Sequence, residues 1–79
     1  MYKFHPYFLN SVLKRRPYLT KEICIRIVES SIDTEEQEDG RFRFWGFVPE
    51  LGTYLRVITE TDLVTIFNAF KDPDFNPKI

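Results

Sequence analysis

The dipeptide Asp39-Gly40, set between two stretches of period two, constrains this chain more than any other feature. Residues 34–38 and 41–48 alternate on either side of it, and a two-residue type I′ turn joins such stretches into an antiparallel hairpin. That turn would set Glu38 opposite Arg41 and Glu36 opposite Arg43, opposite charges worth about 0.2–1 kcal/mol a pair. Pro49-Glu50-Leu51-Gly52 makes the next reversal, and strand 53–60 returns with Val48 opposite Thr53. Thr61-Asp62 then turns the chain into strand 63–70. The expectation is a four-stranded antiparallel meander, in which a slip of one residue would exchange the two faces of a strand. One face collects Phe42, Phe44, Gly46, Val48, Leu55, Val57, Thr59, Val64, Ile66 and Phe70 and is the core face. Gln37, opposite Phe42, and Asn68, opposite Leu55, fall on it as well.

The first part of the chain has a different period. Pro6 suits the first position of a helix over 6–16, in which Phe8, Leu9, Val12 and Leu13 form one apolar stripe. Pro17 ends it, and Thr20 is the expected N-cap of a second helix over 21–30 with the stripe Ile23, Cys24, Ile27 and Val28. The fold class is therefore α+β, an N-terminal αα-hairpin packed on one face of the meander. Residues 1–79 make a single domain, with 71–79 a loose tail. A core this small needs bulk, and the one Trp, four Tyr and eight Phe supply it. The single Cys allows no internal disulfide and no Cys-based zinc cluster. No apolar run is long enough to span a membrane and no secretory signal opens the chain, so a soluble cytoplasmic protein is expected.

The face opposite the core is the candidate working surface. On it Trp45 is expected opposite Arg56 and Arg56 opposite Phe67, with Phe47 opposite Tyr54, which places a guanidinium between aromatic rings. Arg43, Trp45, Phe47, Tyr54, Arg56 and Phe67 form the candidate binding surface, extended by Ile58 and Leu63. Three readings compete. The aromatics could form a second small core beneath the tail, with Phe75 or Ile79 folded over Trp45. They could form a protein interface, including a homodimer, since interfaces favour aromatics and Arg. Or they could stack the bases of single-stranded RNA. The formal charge of −1 departs from the basic balance of a dedicated nucleic-acid binder.

The order of two helices before a paired sheet, with Gly40-Arg41-Phe42-Arg43-Phe44-Trp45-Gly46-Phe47-Val48-Pro49-Glu50-Leu51-Gly52, Leu55-Arg56-Val57-Ile58 and Asn68-Ala69-Phe70, resembles the small bacterial proteins related to the RelE/ParE and BrnT toxins. The resemblance implies a RelE-like fold and, as an alternative to an interaction module of unassigned role, a toxin-type ribonuclease or RNA-binding protein. It brings no catalytic residue to a matching position. Two departures stand beside it: the slightly acidic balance, and a C-terminal segment reading Phe70-Lys71-Asp72-Pro73-Asp74-Phe75 where such toxins carry basic and aromatic residues.

His5 is the only histidine and so the natural acid–base candidate, with Arg56 the candidate for stabilising phosphate charge. Next to Pro6, His5 reads first as a helix-start or surface residue and only second as an acid–base group. With no second His, no cluster for a metal forms, and the acidic residues from Asp33 to Asp39 lack calcium-loop spacing. No metal and no cofactor is expected. Cys24, on an apolar stripe, reads as a small hydrophobe. Arg15 and Arg16 complement the dipole at a helix end. Asn68 on the core face is a buried polar position that needs partners, in the helix turn, in the tail or at a site.

Overall fold

A computed structural model describes residues 1–77. The chain is α+β, as its change of period implies. Strand β1 (Lys3–Phe4) is followed by a π-helical turn (Phe8–Val12) that continues as α1 (Leu13–Arg15), then by α2 (Lys21–Glu29). Strands β2 (Asp33–Glu36), β3 (Phe42–Val48), β4 (Thr53–Thr59) and β5 (Thr65–Lys71) complete it. They form one sheet in the order β1-β5-β4-β3-β2, in which β1 runs parallel to β5 and every other pair is antiparallel.

The sheet is thus five-stranded and mixed, where a four-stranded antiparallel meander was expected. β1 is two residues long, too short to show any period, and is held by Lys3 and His5 N–H groups donating to Val64 and Ile66 carbonyls. The first helical segment runs over 6–15, close to expectation, but is partly wider: the Leu13 N–H reaches back to Phe8 O. Phe8 and Val12 are fully buried, while Leu9 leaves the stripe and is exposed. α2 follows expectation, with Thr20 Oγ1 accepting from the Ile23 N–H at 3.1 Å and Cys24 and Ile27 buried.

Two of the three hairpins depart from the expected register. β3 and β4 pair as their alternation dictates, with Trp45 opposite Arg56, Phe47 opposite Tyr54 and Val48 opposite Thr53. β2 is displaced by one residue, so that Glu35 faces Arg43 and Glu36 faces Phe42. Gly40 alone in that turn takes a positive φ, 88°, whereas a type I′ turn needs two such residues. The loop instead closes over three residues, Gln37 N–H donating to Arg41 O and Gly40 N–H to Gln37 O. Glu38 therefore lies in the turn and not opposite Arg41, and Gln37 leaves the core face: its Oε1 accepts from Arg43 Nε at 3.0 Å.

The β4–β5 connection is longer than Thr61-Asp62. Leu63 adopts φ 66°, and Asp62 Oδ1 accepts from the Val64 and Thr65 N–H groups. Val64 and Leu63 consequently stay in the turn. A bulge between Ile58 and Thr59 then leaves Thr59 opposite Ile66 but Ile58 opposite Asn68 and Arg56 opposite Phe70. The extra residue on β5 puts Asn68 and Phe70 on the outer face and brings Ala69 to the core.

Helical segments and sheet bury one cluster between them: Phe8, Val12, Leu19, Cys24 and Ile27 from the helical layer, Phe44, Val48, Leu55, Val57, Ile66 and Ala69 from the sheet. Each large side chain there contributes about 1.5–3 kcal/mol by leaving water. All of it lies on one side of the sheet, leaving the other to the side chains described next.

Candidate functional site

The outer face is organised around Arg56. Its guanidinium lies 5.3 Å from the Trp45 ring centroid and 5.0 Å from that of Phe70. The expected sandwich of an arginine between two aromatic rings is present, but the shifted β5 register makes Phe70, not Phe67, the second ring. Asp72, the first residue after β5, closes the arrangement. Its Oδ2 accepts from Trp45 Nε1 at 2.9 Å and from Arg56 Nη2 and Nε at 2.8 and 3.1 Å, and its N–H donates to Tyr54 O. Burial pushes this carboxyl up, and the bonds from Trp45 and Arg56 outweigh that push, holding it below the ordinary aspartate range.

Residues 72–75 of the tail pack against the sheet. Phe75 N–H donates to Asp72 O, and the Phe75 ring stacks on Trp45 with centroids 4.9 Å apart and planes 12° from parallel. Tyr54 makes a T-shaped contact with the same ring, centroids 5.3 Å apart. Trp45 is left only 5% exposed. The small second core under the tail is therefore real at Trp45, and Phe75 makes it; Ile79, the other residue expected there, lies outside the described residues. Beyond this cover stands Phe47, 50% exposed and edge-on to Tyr54 at 5.3 Å.

Phe67 belongs to a separate cluster. Arg41 lies 3.8 Å over its ring, Tyr7 stacks on it and His5 meets it edge-on. Arg15 donates to the Tyr7 hydroxyl. His5 Nδ1 accepts from the Tyr7 N–H at 3.0 Å, which fixes the ring at the start of the helical segment. His5 and Arg56 thus sit in different clusters and are not brought together as an acid–base and phosphate pair. Asn68, expected as a buried polar position on the core face, is half-buried on the outer face; its Oδ1 accepts the N–H of Ala69 at 2.9 Å.

The sheet arginines of this face have carboxylate partners: Arg41 with Glu60 and Asp39, Arg43 with Glu35, Arg56 with Asp72; Arg15 and Arg16, which reach the Tyr7 and Phe70 rings from the helical segment, pair with no carboxylate among the described residues. The residues missed by sequence reasoning are Asp72 and Arg41. Asp72 carried a signal, since a carboxylate three residues ahead of the tail's one aromatic follows a face that places Arg beside Trp. Arg41 was assigned to a hairpin charge pair and is instead the cation over Phe67. Among the described residues there is no cavity and no group of three His, Cys, Asp or Glu side chains suited to a metal, and no helix is long and apolar enough to cross a membrane. No family model, curated protein or solved structure matches this chain.

Proposed function

We propose that the chain is a small interaction module, working in the cytoplasm, whose outer sheet face docks another polypeptide. The observation that carries this reading is the half-exposed Phe47, continuous through Tyr54 with the Phe75–Trp45 stack. Aromatic side chains grouped with arginine are the composition of protein interfaces. The carboxylates on Arg41, Arg43 and Arg56 favour a protein over RNA as the partner. Nucleic-acid affinity comes largely from cations meeting phosphates, and here a phosphate would have to displace a carboxylate already in place. The RelE-like ribonuclease reading has the resemblance of the Gly40–Gly52 segment in its favour, and against it the separation of His5 from Arg56.

A photo-crosslinking phenylalanine analogue at position 47, in cells expressing the chain, tests the proposal. Defined adducts that survive nuclease and are lost with protease are expected at position 47 and not at Leu63, which is comparably exposed on the far turn. Adducts removed by nuclease would support the RNA reading. An adduct of twice the chain's mass would make the partner a second copy, and the absence of any defined adduct would contradict the proposal.

A further inference from the structure

We propose that the Trp45–Arg56 seat takes a partner segment folded as a tight turn that bears an aspartate three residues ahead of an aromatic, and that residues 72–75 occupy this seat as a competitor. The inference rests on the reading of the outer face as a protein-docking surface and names the chemistry of its ligand. The seat makes three kinds of contact with residues 72–75. Trp45 Nε1 and the Arg56 guanidinium converge on one carboxylate oxygen, the Trp45 indole face receives a ring, and Tyr54 O accepts a backbone N–H as the neighbouring position of a strand would. None requires that the segment be covalently joined to β5. A carboxylate, a ring three residues on and a turn between them, closed as Phe75 N–H to Asp72 O closes it here, are what this surface recognises, with one backbone N–H added to the edge of β4.

The tail leaves part of the surface unfilled. Phe47 stays half-exposed beside Tyr54, and Asp74 and Asn76 point to solvent. A partner segment of the same pattern with an apolar residue beyond the aromatic would cover Phe47 as well, a contact that the tail does not make. The tail's advantage is its tether, which gives it an effective concentration in the millimolar range. Weakening the tail should therefore reveal the seat without altering it.

The test uses the full-length chain and a capped peptide of residues 71–77, Lys-Asp-Pro-Asp-Phe-Asn-Pro, read out on Trp45, the only tryptophan, by its emission and its indole N–H resonance. In Phe75→Ala the peptide is expected to return the indole resonance toward its wild-type position, with an apparent affinity about tenfold tighter than for the wild-type chain. Replacing the first aspartate of the peptide by asparagine should weaken it by about tenfold. Asp72→Asn provides a second opened chain, and circular dichroism establishes that each variant is folded. An indole resonance that several millimolar peptide moves in neither opened chain nor in wild type would overturn the proposal. So would an indole shift that follows protein concentration without peptide, which would assign the seat to the tail of a second copy. A failed peptide titration beside protein adducts at position 47 removes the seat alone, whereas loss of those adducts removes the docking face.

Discussion

At the scale of single residues, Asp72 governs the outer face. Its carboxyl is held below the usual range because the bonds from Trp45 and Arg56 outweigh the effect of burial. A depressed folded-state value means stability that is present above the unfolded pKa, about 4, and lost as pH falls through the lower folded value. Trp45 emission should accordingly stay constant from neutral pH to about 5 and move to the red below about 4, and Asp72→Asn should flatten that transition. Asp72→Ala, which leaves the indole N–H and the guanidinium without their acceptor, is expected to cost about 1–3 kcal/mol in urea unfolding. Cys24 behaves oppositely. Burial pushes its thiol up to about 12, so its alkylation by a thiol reagent at neutral pH should proceed only as fast as the chain opens.

At the scale of elements, the contact of α2 with β3 depends on Gly46. A Cβ there would come 2.8 Å from Ile27 Cδ1, a side chain buried in the core. Gly46→Ala should cost about 1–3 kcal/mol by overpacking, and Ile27→Val, which deletes that methyl, should cost about 0.5–1.5 kcal/mol alone. The pair should cost less than the two added together, a coupling that thermal unfolding of the four chains measures. The elements also mark how far the sequence could be read. β3 and β4 were legible because seven residues on each side pair without a bulge and Gly52 takes φ 67° in the turn between them. β2 slipped because Asp39 does not share the positive φ of Gly40, and one residue more in the loop moves every partner by one. β5 slipped because Leu63, which no rule of composition places at φ 66°, lengthens the turn, and because the bulge places its extra residue, Phe67, between Ile66 and Asn68, where no turn residue marks it. β1 was invisible since its two residues gain their place only from the edge of β5.

At the scale of the whole molecule, the candidate surface was half legible. Trp45, Phe47, Tyr54 and Arg56 lie on one face because β3 and β4 could be registered. Phe67 joined a different cluster with His5, Tyr7 and Arg41 once β5 shifted. The tail's role depended on contacts between residues 16 or more positions apart, which no local pattern encodes, such as Arg56 and Trp45 Nε1 with Asp72. The face is therefore a paired and partly covered surface with Phe47 at its open end. Phe47→Ser should change stability by no more than about 0.5 kcal/mol while abolishing capture of a partner, which a pull-down alongside an unfolding curve would establish. The central claim is that the sheet arginines Arg41, Arg43 and Arg56 are already matched by carboxylates and that the proposed docking face therefore suits a protein better than nucleic acid. Titration of the isotope-labelled chain with short single-stranded RNA at low salt tests this most directly. The account predicts that the Trp45 indole and the Arg43 and Arg56 amide resonances stay in place through a large excess of RNA; saturable shifts confined to those residues would contradict it.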